Sequence, residues 1–231
     1  MKNRSDVDHK EPLIPFSMEL GTSRRVVPHF VRADDDEDEP GDKEEPKAPK
    51  SMAPLEQDLL EARTILVHGA VDDKLAAGLA ARVLILEDRD AKAPITVYVN
   101  SPGGSADSGF AMYDILRFVR CPVRTIVNGL CASAGVLVFL GGDKGSRLTL
   151  PGSRFLLHQP STAGRGTASD LHITAQQVVK LRERYNRIVA EATGRPDDEI
   201  LEASKRDFWL SASEAKEYGL ADRIVTTRDE L

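Results

Sequence analysis

The chain has only two cysteines in 231 residues, Cys121 and Cys131. Their spacing suits neither a metal site nor a disulfide framework, and a reducing cytoplasm is the simplest setting. No apolar run approaches the ~20 residues of a membrane span. The N-terminus lacks the basic region and apolar core of about 7–15 residues that a secretory signal needs, and it is too acidic for an organellar transit peptide. There is no basic excess: the net charge is −6, which argues against general nucleic-acid binding. No internal repeat is present, and no G-x-x-x-x-G-K-[ST] loop that would cradle a nucleotide. What is there is an apolar fraction of 41%, enough for a sizeable core, in a length that suits one α/β domain plus an extension.

The extension covers residues 1–54. Prolines recur in it, and the run Asp34-Asp-Asp-Glu-Asp-Glu39 is followed by Pro40, Gly41 and more charge to Lys50. Such a stretch cannot bury enough apolar area to offset ordering entropy, so disorder is expected there. Leu13-Ile-Pro-Phe16 and Val26-Val-Pro-His-Phe30 are small apolar islands within it. From Leu55 to Leu231 the pattern is that of a folded domain. Thr64–Val67, Ile95–Val99, Val123–Val127, Arg147–Leu150 and Arg154–Leu157 read as strands, with Ile224-Val225 as a last one. Helical spacing recurs over 72–87, 107–120 and 168–193, with a short helix over 197–204. Ser211-Ala-Ser-Glu214 is a capping box whose helix closes at Gly219. Strands alternating with helices predict an α/β layer fold with parallel pairing.

Four places could carry chemistry. Ser133, in Asn128-Gly-Leu-Cys-Ala-Ser-Ala-Gly135, falls at a strand-to-helix turn among small residues. It reads as a nucleophile with room for a substrate backbone, or as a plain helix N-cap. Asn100-Ser-Pro-Gly-Gly104 ends an apolar strand. The amide of Gly104, with that of Ala134, could form an oxyanion hole; otherwise the stretch is a tight turn. His158 ends the strand 154–157, where a base could reach Ser133. Asp207 directly precedes the apolar Phe208-Trp-Leu210, and a carboxylate there needs a partner, an imidazole or Arg206. The chain order Ser, His, Asp differs from those of α/β-hydrolases, chymotrypsin-like and subtilisin-like enzymes, and Cys131 replaces the first glycine of G-x-S-x-G. A triad is defined by geometry, so the order is no obstacle.

These residues together resemble the proteolytic subunit of the Clp protease. The resemblance spans about 55–231 and rests on Asn100–Gly104, Gly129–Gly135, Leu150–Arg154, Leu157–Pro160, Arg206–Ser211 and Glu214–Asp222, in that family's order and spacing. It implies the ClpP/crotonase-like fold, a repeated β-β-α head with a projecting handle helix at 168–193. It implies a serine endopeptidase with Ser133 as nucleophile, His158 as base, Asp207 as its orienter, and Gly104 and Ala134 as oxyanion donors. Gly164 and Gly166 fall in the segment flanking bound peptide, and Tyr98 matches an aromatic of the unfoldase docking pocket. Stacked seven-membered rings are implied, fed with unfolded protein by an AAA+ unfoldase or adaptor that uses the ATP; no cofactor or metal is implied for this chain.

Departures accompany the resemblance. Ala134 replaces a methionine, Leu130 stands where glutamine is common, and Lys205 replaces an acidic residue that helps rings pair. The long acidic extension stands where short gate loops are usual. Two other readings share the fold: a non-catalytic ring subunit beside an active paralogue, and a crotonase-type acyl-CoA enzyme, which would not need the Ser-His-Asp set.

Overall fold

The computed structural model describes residues 53–231. The extension 1–54, with its islands and acidic run, lies outside the described residues apart from Ala53 and Pro54, which open the first helix. Helix α1 (Ala53–Glu61) leads into β1 (Thr64–His68), α2 (Asp73–Arg89), β2 (Ile95–Ser101), α3 (Ala106–Phe118), β3 (Val123–Ala132) and α4 (Ala134–Leu140). Then come β4 (Arg147–Thr149), β5 (Arg154–Leu157), α5 (Ala168–Thr193), α6 (Asp197–Ala203), β6 (Phe208–Ser211), α7 (Ala212–Tyr218) and β7 (Arg223–Ile224).

Local chemistry sets these boundaries. The Asp72 side chain accepts from the Leu75 amide and starts α2. Thr167 and Asp170 form a capping box at the start of α5, and Gly194 closes that helix in the left-handed conformation. Ser211 with Glu214, and Gly219, do the same for α7, as the sequence predicts. Asp197 and Asp198 sit in the first turn of α6, where acids favour the helix dipole.

The strands run β1-β2-β3-β4-β7, all parallel, while β5 pairs with β3 and β6 pairs with β5. The expected all-parallel sheet is thus corrected at one point: β5 and β6 are antiparallel. A second correction concerns length. Asn100 does not break β2, which continues to Ser101, and β3 runs on from Val127 to Ala132. The cause is a local staple. Asn100 Oδ1 accepts from the Leu130 amide at 3.0 Å, and Gly129 takes φ 151°, with room for no side chain beside that carbonyl. The β2–β3 register shifts there. Beyond the shift β3 leaves β4 and takes β5 as its partner. The buried Ser153 hydroxyl donates to the Val127 carbonyl at 2.9 Å, at the point where β3 changes partner.

Alternation places Ile95, Val97 and Val99 of β2 in the main core with Ile65, Val67, Val123 and Val127. Helices α2, α3 and α4 cover that face, supplying Leu79, Met112 and Leu137 among others. Tyr98 points the other way, against a small cluster of Ile126, Leu148 and Val225. Helix α5 is 26 residues long, about 39 Å at 1.5 Å per residue. Its second half is anchored by Tyr185, Ile188 and Val189, while its first half is exposed and shows Leu171 and Ile173 to solvent.

An ion pair ties β4 to the segment leading into β7. Arg147, only 4% exposed, donates to Asp222 at 2.8 Å and to the Ala192 carbonyl. Burial works to raise the Asp222 carboxyl, but the hydrogen bonds from the Arg147 side chain and amide and from the Gly145 amide outweigh it and hold it below the usual range. Removing one partner of a buried pair leaves the other uncompensated. Arg147→Met is therefore expected to lower stability by about 3–5 kcal/mol in denaturant unfolding. A carboxyl held low in the fold adds stability above its unfolded pKa, lost as pH falls through the folded value. Glu230, whose carboxylate accepts from Thr226 and Thr227, is lowered to about 2 and acts in the same direction. The native chain should lose stability from about pH 4 down to 2, and Arg147→Met should show the shallower slope.

Candidate active site

Three neighbouring strands end at one edge of the sheet and deliver one residue each. The β3–β5 register pairs Ala132 with Leu156, and the Ser133 amide donates to the Leu156 carbonyl at 2.9 Å. Ser133 therefore emerges just past the end of β3, beside the end of β5. The β5–β6 register pairs Leu157 with Phe208, which makes His158 and Asp207 the next facing pair along the same edge. The sequence shows Phe208–Leu210 as apolar but not as a strand, and it is this strand that carries Asp207 to the histidine. Gln159 fastens the arrangement: its amide donates to the Ser204 carbonyl at 3.0 Å and its side chain to the Lys205 carbonyl at 3.2 Å.

Ser133 does not cap α4. Its side chain makes no capping hydrogen bond, and its backbone is held at φ 54°, ψ −122°. That is a strained conformation for a residue with a Cβ, costing of order 1–3 kcal/mol, and it persists only where the surroundings impose it. Here the amide is held by Leu156, and the carbonyl accepts from the Val136 amide at 2.9 Å and the Tyr185 hydroxyl at 3.5 Å. Among the described residues the hydroxyl of the nucleophile candidate has no hydrogen-bond partner.

Gly103 and Gly104 follow the end of β2 and lie against this turn. Val71 bridges to Gly104: its amide donates to the Gly103 carbonyl and its carbonyl accepts from the Ser105 amide, both at 2.8 Å. That bridge uses neither the Gly104 amide nor the Ala134 amide. Neither has a protein acceptor among the described residues. Gly104 has φ 151°, and a Cβ there would stand 2.2 Å from the Val71 carbonyl oxygen. Gly103 is the residue that reading by sequence undervalues. With φ 91°, its ideal Cβ would fall 2.6 Å from Ser133 Cβ and 3.1 Å from the Ala134 nitrogen. The adjacent glycines are the available signal, since close backbone approach requires them.

A cavity of about 470 Å³ opens beside these groups, lined by Gly104, Ser133, Ala134 and His158, with Phe110 and Leu137 among its apolar walls. From the loop after β5 it takes Pro160, Ser161 and Thr162 but not Gly164 or Gly166. By Gly166 the loop has turned to cap α5, and that glycine lies against Asp170. Tyr98 lies on the opposite face of the sheet, away from the cavity.

His158 Nδ1 stands 4.0 Å from Asp207 Oδ1, outside hydrogen-bond range, and no hydrogen bond joins Ser133 to His158 among the described residues. Asp207 is solvated, with 66% of its side chain exposed against 31% for His158. Arg206 forms no ion pair with Asp207 among the described residues, so the imidazole is the partner the fold offers. Two other titratable residues after His158 are engaged on α5 itself: Asp170 caps the helix, and His172 bonds to Gln176. Cys131 is fully buried beside Ser133, and burial pushes its thiol up, so it stays protonated and inert.

The Clp protease family profile matches residues 47–228 of this chain. The chain belongs to the Clp protease family. It is 43% identical over 208 residues to the ATP-dependent Clp protease proteolytic subunit 3 of Rhizobium meliloti, covering 87% of this chain and all of that one. That match reaches into the residues before Ala53. Proteolytic subunit 2 of Treponema pallidum is 43% identical over 175 residues, covering 76% of this chain and 88% of that protein. Among solved structures, a point mutant of ClpP1 from Listeria monocytogenes superposes with a TM-score of 0.70 at 36% identity, covering 76% of this chain and 98% of its own. Clp proteases are serine endopeptidases that work with an AAA+ partner, and the ClpP fold expected from the motifs is the one observed. Among the described residues, no helix is long and apolar enough to cross a membrane.

Proposed function

We propose that this chain hydrolyses peptide bonds through Ser133, His158 and Asp207, with the amides of Gly104 and Ala134 as the oxyanion hole. The observation that carries the reading is the convergence of two free amides and a strained, uncapped serine at the end of three adjacent strands. His158 faces Asp207 through Nδ1, which leaves Nε2 for the serine. Nε2 takes the Oγ proton as Oγ bonds to the substrate carbonyl carbon, and the two amides take up the oxyanion charge. The imidazolium then gives its proton to the leaving amine as the C–N bond breaks. A water, deprotonated by the same nitrogen, releases the acyl group and restores the serine.

The 4.0 Å gap between Nδ1 and Oδ1 must close by about 1 Å for the Asp–His bond to form. Packing of further copies against the exposed first half of α5, and of substrate in the cavity, would supply that closure. The assembly fitting this reading is a chamber of stacked seven-membered rings, homomeric or shared with a paralogue, in the cytoplasm. A partner AAA+ unfoldase or adaptor would use the ATP and engage near Tyr98. The Gly164–Gly166 segment would flank the bound peptide, and residues 1–54 would be an acidic extension. The reading requires no metal or cofactor in the chain. A subunit that assembles without turnover is the other reading, favoured by the open Asp–His geometry alone.

The test is degradation of an unstructured protein against a folded one, with and without an AAA+ unfoldase and ATP. Slow cleavage of the unstructured chain without ATP, and cleavage of the folded one only with unfoldase and ATP, is expected. Absence of cleavage by the assembled chain in every arm would favour the non-catalytic subunit.

A further inference from the structure

The cavity beside Ser133 holds a carboxylate that catalysis does not use. Asp107 lines it, and among the lining residues Asp107 is the sole carboxylate and His158 the sole basic side chain. The neighbouring acids have partners: Asp73 accepts from the Ser108 hydroxyl at 2.6 Å, and Asp114 pairs with Arg184 at 2.7 Å. Asp107 is exposed and, among the described residues, has neither an ion pair nor a hydrogen bond to its side chain. An acid in the first turn of α3 gains from the helix dipole wherever it faces, so its position on the helix alone implies no ligand. The cavity adds the second observation. The same cavity is lined by the apolar Phe110, Leu137, Val178 and Leu181. A guanidinium already stacks on one of those walls, since Arg184 lies 4.1 Å over the Phe110 ring.

A partly apolar cavity with one unpartnered carboxylate fits a side chain with a methylene stem and a cationic head, as in lysine and arginine. Building on the assignment of Ser133 as nucleophile, we propose that Asp107 is a specificity-determining residue. It selects substrates carrying a lysine or arginine on the acyl side of the scissile bond. The stem packs along the partly exposed Val178 and Leu181, and the cation meets Asp107 where it is screened by solvent. The preference is therefore modest and sensitive to salt.

The test uses two fluorogenic peptides identical except for lysine or leucine before the reporter, with kcat/KM measured on the full assembled chain. Asp107→Asn is expected to lower the lysine-to-leucine ratio about fivefold, Asp107→Glu to keep it, and the native ratio to fall as salt is raised. The salt series needs no substitution and so holds even if a variant misassembles. Serine-dependent hydrolysis with a ratio that neither Asp107→Asn nor salt moves overturns the proposal and leaves the nucleophile in place. Hydrolysis of neither peptide, with no labelling of Ser133, overturns both.

Discussion

Ser133→Ala is expected to lower kcat for peptide hydrolysis by about 10⁴–10⁶-fold while leaving the fold and assembly intact. The size follows from the unit behaviour of a triad: without the nucleophile, the base and the oxyanion amides have no acyl-enzyme to form. A lesser nucleophile nearby cannot make up the loss, because the Cys131 thiol is buried and held protonated. The same position allows a separate check on strain. Glycine adopts φ 54° without the strain that serine bears there, so Ser133→Gly should lose activity as fully as Ser133→Ala yet unfold no earlier than the native chain. Unfolding at markedly lower denaturant would show that the serine side chain supports the turn instead of straining it.

Gly103→Ala is the second large effect. The added methyl would meet the Ala132 carbonyl oxygen at 2.7 Å as well as Ser133 Cβ at 2.6 Å, and φ at this residue is 91°. These are a backbone atom and the nucleophile's own Cβ, so relief requires moving the serine or the Ala134 amide. A displacement of about 1 Å at reacting groups costs on the order of 10²-fold, and kcat/KM should fall by at least that much. Gly152→Ala is the matched control, since nothing lies within 4 Å of its Cβ, and it should stay within about twofold of native. Equal activity in the two variants would mean that Gly103 does not set the site's geometry.

Legibility in the sequence divides along physical lines. Helix α5 is readable to the residue because its apolar periodicity and closing glycine are local signals. The Ser133 turn, the glycine pair and the His158 strand end are readable because each is a short stretch whose chemistry lies within a few positions. What is not legible depends on partners distant in sequence. Strand β6 has only four residues, two of them substantially exposed, and its identity comes from pairing with β5 some fifty residues earlier. The continuation of β3 past Val127 depends on the Asn100 side chain holding Leu130. That same β5–β6 register sets Asp207 facing His158, a placement that the sequence leaves open between His158 and Arg206. The open distance between His158 and Asp207 has no sequence signal, because solvent exposure on an isolated subunit is a property of the surface it leaves uncovered.

The most direct measurement is fluorophosphonate labelling of the assembled chain, read by intact mass beside Ser133→Ala and His158→Ala. A single adduct on the native chain, absent from Ser133→Ala and formed far more slowly in His158→Ala, is the predicted result and identifies a serine activated by its histidine. An adduct that survives Ser133→Ala, or none on a well-folded oligomer, would contradict it.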